Sequence, residues 1–237
     1  MHRYFVKDIG RIARIEGEDF LHLHQVLRCK LGDKLILCDG HGMDYDAQIE
    51  SFENNAVVCR VGTGHPSGTE PGCHIALYQC LPKVGKFEFI IQKCTELGIR
   101  SITPVLSNRC VVVPKDFSKK NLRYTRIAYE AAKQASRGLV PEIQDLQALS
   151  SLEPAGFDSM FVAYEKENTL MLKSALRDKA GLKSVALVVG PEGGFDEEEI
   201  RLLSEKGAMI VSLGPRILRT ETAGLAMLAQ LLYEVEF

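Results

Sequence analysis

From His74 onward, short apolar runs rich in β-branched residues alternate with stretches of helical periodicity, and no other property of the chain restricts its fold as much. Strands are predicted over 74–81, 101–106, 159–164, 185–189 and 208–213, and helices over 86–97, 119–136, 168–178, 196–206 and 221–235. Such alternation requires crossover connections, so it predicts a mostly parallel sheet with helices on both faces. Gly98 stands where a helix C-cap is expected. Asp196 can cap the helix that opens Glu197-Glu198-Glu199, whose carboxylates suit the positive end of the helix dipole.

The residues before His74 follow another pattern. A short strand, Tyr4–Val6, precedes a helix-like stretch, Asp19–Arg28, with Phe20, Leu23, Val26 and Leu27 at helical spacing. Strands then follow over Lys34–Cys38, Asp44–Phe52 and Ala56–Val61, separated by the turn signals Asp39-Gly40, His41-Gly42 and Asn54-Asn55. This predicts a small β-barrel. Residues 62–72 (GTGHPSGTEPG) have the composition of a linker, so the boundary is set between a domain of residues 1–72 and one of 73–237. Gly62-Thr63-Gly64 follows a strand, but the helix that a dinucleotide loop needs is missing.

Composition narrows the function classes. A chain of 237 residues, 46% apolar and 25% charged, has an ordinary globular balance. Its longest apolar stretch, within Ala223–Leu232, contains Gln230 and is too short for a membrane span, and Met1–Ile15 has charges scattered through it. The cytoplasm is the expected compartment, with no membrane partner. Seven cysteines are an odd number without metal-knuckle or redox-pair spacing, so buried free thiols are expected. His22 and His24 are two residues apart on a predicted helix and do not face each other, so no metal is expected. The net charge of −2 hides a pattern: residues 1–72 carry −3, residues 83–137 carry +8 and residues 138–237 carry −7. A concentrated basic segment fits a polyanionic partner even where the total charge does not.

Two strand-to-loop-to-helix junctions lie close together near the C-terminus: Val189-Gly190-Pro191-Glu192-Gly193-Gly194-Phe195, and 213–223 (LGPRILRTETA). Ligands of open α/β sheets gather beyond the carboxyl ends of strands, so the two loops predict one pocket. Pro191 fixes one φ, while the paired glycines bring bare backbone close to a ligand, as an adenine or ribose would require. The Gly-Lys-Ser/Thr ending of a triphosphate loop is missing. Arg216, Arg219 and Glu221 open a final helix that is apolar on nearly every face, so the helix must be buried in the core or against another chain.

These two segments together resemble the paired signature of the RsmE-type bacterial 16S ribosomal RNA uracil-N3 methyltransferases, members of the SPOUT class. The similarity extends through 24–28 (HQVLR), Leu81-Pro82-Lys83 with Lys86, Ile91-Gln92-Lys93 with Glu96-Leu97-Gly98, Ser107-Asn108-Arg109 and 126–143 (RIAYEAAKQASRGLVPEI). It covers essentially the whole chain in order. Ala135-Ser136 departs from the family's usual Ser-Gly, and Val84-Gly85 varies between the two lysines. The resemblance implies a PUA-like RNA-binding β-barrel followed by an α/β-knot methyltransferase domain with a deep trefoil knot, an exception to unknotted connections. It also implies a homodimer and S-adenosylmethionine as cofactor. Carried over residue by residue, the cofactor contacts would be Val189, Gly190, Pro191, Glu192, Gly193, Gly194, Leu213, Gly214, Ile217, Leu218, Arg219, Thr222 and Ala223, with Tyr164 and Glu165 at the rim.

The implied reaction methylates N3 of a specific uridine in 16S rRNA within the 30S subunit. Uracil N3 is a nucleophile only after deprotonation, so a carboxylate to take the proton and a guanidinium to stabilise the anion are expected. The candidates are Arg137, then Arg219, for the cation, and Glu221 or Glu165 for the base. N3 lies on the Watson–Crick edge, so the uridine must be unpaired or extruded. Lys83, Lys86, Arg109, Lys119, Lys120, Arg123 and Arg126, with Arg3 and Arg28 from the barrel, are candidates for holding the surrounding RNA. Two other readings compete: a SPOUT ribose 2′-O-methyltransferase of tRNA or rRNA, and a non-catalytic RNA-binding assembly protein.

Overall fold

Alternating burial sets the strands of the N-terminal unit. In β2 (Ile12–Glu16), Ala13 and Ile15 point inward while Ile12, Arg14 and Glu16 face solvent. A computed structural model describes residues 2–114, 116–177, 179 and 181–236. It divides into two units, Met1–Glu70 with Ala132–Val140, and Pro71–Ala131 with Pro141–Phe237.

The first unit holds a five-stranded sheet in the order β1-β3-β4-β5-β2, with β1 spanning Arg3–Phe5, β3 Lys34–Cys38, β4 Met43–Glu53 and β5 Ala56–Pro66. β3, β4 and β5 form an antiparallel meander, and β1 runs parallel to β3. Tyr4, Leu23, Leu37, Val57 and Cys59 are buried in its core. Three features differ from the sequence expectation. β2 (Ile12–Glu16) is a strand beyond those predicted. The predicted helix 19–28 is a short α1 (Gly17–Leu21) that widens into one π turn (His22–Val26), closed by Leu27 N–H donating to the His22 carbonyl at 3.0 Å, and Arg28 ends it at φ +52°. The supposed linker begins as strand: β5 runs on to Pro66 because Gly64 lies flat on Tyr45, where a Cβ would come 2.6 Å from the ring. Residues 138–140 add to this unit through Gly42 N–H to Gly138 O, 3.1 Å, and Val140 N–H to Gly40 O, 3.1 Å.

In the second unit, the predicted alternation forms a seven-stranded parallel sheet among the described residues. Its strands are β6 (His74–Cys80), β7 (Ser101–Leu106), β8 (Glu142–Ile143), β9 (Gln147–Ala148), β10 (Ser159–Ala163), β11 (Ser184–Val189) and β12 (Met209–Val211). The order is β12-β10-β11-β6-β7-β8, with β9 also on β7. The helices are α2 (Lys86–Glu96), α3 (Ser118–Gln134), α4 (Leu172–Arg177), α5 (Glu197–Glu205) and α6 (Thr220–Glu236). One core joins Ile75, Leu77, Phe161, Val185 and Leu187 to α2 and α6, and a second joins Val105, Val162, Val188 and Phe195 to Leu203 of α5.

Gly98 ends α2 at φ +102°, against Pro71. α4 starts later than predicted because Leu170–Leu172 is drawn out by backbone bonds with Ser212, at 2.8 and 3.0 Å. The last residue of that predicted helix, Asp178, lies outside the described residues. α6 is not covered all round: Ala223, Gly224, Met227, Leu228, Leu231 and Leu232 are buried, while Ala229 is exposed and Tyr233 is 70% exposed.

Candidate functional site

β10 has β11 on one side and β12 on the other, although β11 and β12 both follow it in the chain. Connections leaving a central strand region in opposite directions open a crevice beyond the carboxyl ends, the usual ligand position in such sheets. Here that crevice is a cleft of about 420 Å³. Its walls are Ala163, Tyr164 and Glu165 after β10, residues 189–195 after β11, residues 212–220 after β12, Ala223 of α6, and Lys86. The two junctions therefore meet. Of the predicted cofactor contacts, Thr222 alone is outside the lining, on the exposed side of α6.

The first loop is held rigidly by its neighbours. Asp196 and Glu199 form a reciprocal capping box at the start of α5, and Glu199, 6% exposed, also accepts from Asn108 N–H at 2.7 Å. Asn108 Nδ2 donates to Asp196 at 2.8 Å, and Arg109 Nη1 donates to the Gly193 carbonyl at 2.8 Å. Gly194 has φ +66°, and a Cβ there would sit 2.6 Å from Glu165 Oε1. A Cβ on Gly193 would come 3.1 Å from Arg109. A side chain would thus be crowded at Gly193 and both crowded and strained at the positive φ of Gly194, with Glu165 packed against the latter.

Charge ties the two loops together. Lys86 Nζ lies 3.0 Å from Glu192 Oε1 and 3.0 Å from Glu221 Oε2, and Lys83 N–H donates to Glu192 at 3.1 Å. Partial burial pushes the Glu192 and Glu221 carboxyls up, but backbone N–H donation and Lys86 outweigh it and hold both below the ordinary carboxylate value. Glu221 and then Glu192 raise Lys86 in return. Thr220 donates its hydroxyl proton to the Gly190 carbonyl at 2.6 Å, joining α6 to the first loop. Arg216, Ile217 and Arg219 stand exposed on the cleft side.

The other predicted residues are distributed differently. Arg137 belongs to the first unit, is 3% exposed, and donates from Nε to Glu70 Oε2 at 3.2 Å. It does not line the cleft. Arg3 pairs with buried Asp44, and Arg123 with Glu88 at 2.8 Å. Lys86, singled out for RNA, lies in the cleft between two carboxylates. Arg28, Lys83, Arg109, Lys119, Lys120 and Arg126 are exposed. His22 accepts or donates at the Tyr4 hydroxyl, 3.1 Å away, and His24 stacks on Phe20 and meets Phe52 edge-on. All seven cysteines are free. Sequence reasoning missed Gln79, whose amide reaches Thr220 from the end of β6 at 2.9 Å. A lone glutamine within an apolar strand was the available signal.

Two family models match the chain: an RNA methyltransferase domain over residues 69–232 and an RNA methyltransferase PUA domain over residues 15–62. The ribosomal RNA small subunit methyltransferase E of Bacillus subtilis is 36% identical, with 100% of this chain and 98% of that protein aligned. Its namesake from Synechocystis is 32% identical over 89% of this chain and 69% of its own length. Among solved structures, the ribosomal RNA small subunit methyltransferase E of Neisseria gonorrhoeae, bound to S-adenosyl methionine, superposes with a TM-score of 0.82 at 26% identity, covering 99% of this chain and 98% of that one.

Proposed function

The chain belongs to the RNA methyltransferase family that includes ribosomal RNA small subunit methyltransferase E, and from that premise we propose that it methylates N3 of a specific uridine of 16S rRNA within the 30S subunit, with S-adenosylmethionine as the methyl donor. The observation that carries this reading is the cleft of two glycine-bearing loops at the carboxyl ends of β11 and β12. Gly193 and Gly194 present bare backbone to the cleft, which lets a nucleoside lie close, and Glu165 adds a carboxylate suited to a cationic ligand. When bound, the cofactor supplies a sulfonium-activated methyl group. The chain's part is to orient the uracil and to remove its N3 proton.

Within this proposal the base is Glu165, which stands at the cleft, whereas Glu221 is committed to Lys86 and is held in its charged form as a weak proton acceptor. Arg219, on the cleft rim, stabilises the uracil anion. Arg137 is the alternative cation, and its charge is already engaged by Glu70. The cofactor contacts are Tyr164, Val189, Gly190, Pro191, Glu192, Gly193, Gly194, Leu213, Gly214, Ile217, Leu218 and Ala223, while Thr222, outside the lining, is not among them. Arg28, Lys83, Lys119, Lys120 and Arg126 hold the RNA.

The trefoil knot is part of the same proposal. It is supported by the path of the chain, which leaves edge strand β12 and returns through residues 213–219 to pack α6 against β11, β6 and α2. The proposed homodimer is supported by Ala229 and Tyr233, left exposed on α6, and the cytoplasm is where its substrate resides. No helix among the described residues is long and apolar enough to cross a membrane.

The test is incubation with methyl-labelled cofactor and 30S subunits lacking the modification, followed by digestion and mass spectrometry. N3-methyluridine at one site is expected. A ribose 2′-O-methyl label, or no incorporation into 30S subunits, would overturn the proposal.

A further inference from the structure

Gln79 is a residue outside the cleft that bears on its shape. It lies in β6 opposite Val189 of β11 and Pro104 of β7, and its side chain is completely buried. Its amide nitrogen donates to the Cys80 carbonyl at 3.1 Å and to Thr220 Oγ1 at 2.9 Å. A carbonyl oxygen can only accept, so the first bond fixes which end of the amide is the nitrogen. Thr220 Oγ1 then has one proton left to give, and it gives it to the Gly190 carbonyl at 2.6 Å. Thr220 is itself only 5% exposed.

Gln79 Oε1 is buried and has no hydrogen-bond partner among the described residues. A leucine would fill the same volume without burying an unsatisfied acceptor, so packing does not explain a glutamine here. Its donation to Thr220 does. Gly224, one turn further along α6, lets the helix approach: a Cβ there would stand 3.4 Å from Gln79 Oε1.

Gly190 is the first residue after β11, where the glycine loop begins. The peptide that follows it joins Pro191, which has no N–H, so nothing on that nitrogen can hold the plane. Phe195 packs against Gly190, and the carbonyl is the one hydrogen-bonding group of that peptide that can fix its orientation. We infer that Gln79 and Thr220 form a positioning relay, Gln79 amide to Thr220 hydroxyl to Gly190 carbonyl, which sets the first cleft loop in its cofactor-binding shape as α6 docks. This rests on the proposal that the cleft takes S-adenosylmethionine.

The test uses the full-length protein with calorimetry for S-adenosylmethionine and steady-state kinetics on 30S subunits. In Gln79→Leu and Thr220→Val, the cofactor Kd and KM are expected to rise about tenfold, the weight of one hydrogen bond, with the KM for subunits unchanged. Thr220→Ser, which keeps the hydroxyl, restores wild-type binding, a rescue that a packing role would not give. Wild-type affinity in Gln79→Leu and Thr220→Val, or a Thr220→Ser defect equal to that of Thr220→Val, overturns the relay. If Gln79→Leu fails to fold, the Thr220→Val and Thr220→Ser pair decides alone, since the hydroxyl it removes or keeps makes both bonds of the relay. No cofactor binding by the wild type would instead overturn the proposed function.

Discussion

Three residues carry opposed demands. Glu165 is proposed to accept a proton while resting on Gly194, whose φ of +66° and missing Cβ make room for it. Replacing Glu165 with Gln is expected to lower kcat about 100-fold with little change in cofactor affinity, and Gly194→Ala to do the reverse, weakening cofactor binding as the methyl group meets the carboxylate. Equal kcat in Glu165→Gln would remove it as the base. The Lys86 bridge has its own pH signature. Glu192 and Glu221 are held below their ordinary 4.5, so the bridge is complete above that pH and fails as the pH falls through the depressed values. Lys86 is raised above 10.5, so its share is lost only as the pH climbs beyond that. Cofactor affinity measured by calorimetry should therefore be flat on this account between about pH 5 and pH 10 and fall in acid. A midpoint near neutrality would mean that another group governs the cleft. Cys110 offers a third check. The Cys80 thiol outweighs burial and, with Ser107, brings it down to about 6, whereas burial raises Cys94 to about 12 and Cys59 to about 11. Iodoacetamide at neutral pH should label Cys110 first, as mass spectrometry would show, and labelling that starts at Cys29 would contradict this.

The capping box of α5 is an element-scale device, because it anchors both the helix and the Ser107–Cys110 turn that holds Gly193. Asp196→Ala should lower the melting temperature by roughly 2–4 °C in a domain of this size. No change in the thermal melt would mean that Asn108 and Glu199 hold the helix start without it. The Asp196 cap was legible in the sequence because it is local, although Glu199's return bond, which completes the box, was not. The main strands and helices after His74 were legible for the same reason, each showing its periodicity within a dozen residues. What escaped was short or non-local. β8 and β9 are two residues each and have no period to detect. β2 buries only Ala13 and Ile15 while Ile12 faces out, which blurs its alternation. Gly62–Pro66 has the composition of a linker, yet its glycines serve close approach to Tyr45 and Asp46 within a strand. In the cleft, the loops were legible from glycine placement. The pairing of Lys86 with Glu192 and Glu221 was not, since residues 86, 192 and 221 meet only through the sheet order.

At the scale of the molecule, charge and chemistry are separated along the chain. Apart from Lys86, the cleft is lined by a segment carrying −7, and residues 83–137 carry +8. The structure shows how much of that positive charge is already engaged: Lys86 in the cleft, Lys93 with Glu96, Arg123 with Glu88, Lys133 with Asp19 and Arg137 with Glu70. Lys119 and Lys120, at the start of α3, are exposed and make no ion pair among the described residues. Their position at a helix N-terminus is unfavourable for cations, because the helix dipole adds to their charge there, and a nearby phosphate would relieve both. If they contact phosphates, each neutralised contact releases counterions and steepens the salt dependence of binding. The Lys119→Ala, Lys120→Ala double variant should then bind 16S rRNA with a log K against log salt slope shallower by about 1–2 and leave the cofactor Kd unaltered. Filter binding across a salt series measures that slope directly, and an unchanged slope would assign the RNA contact to other cations, Arg28, Lys83 and Arg126 first among them.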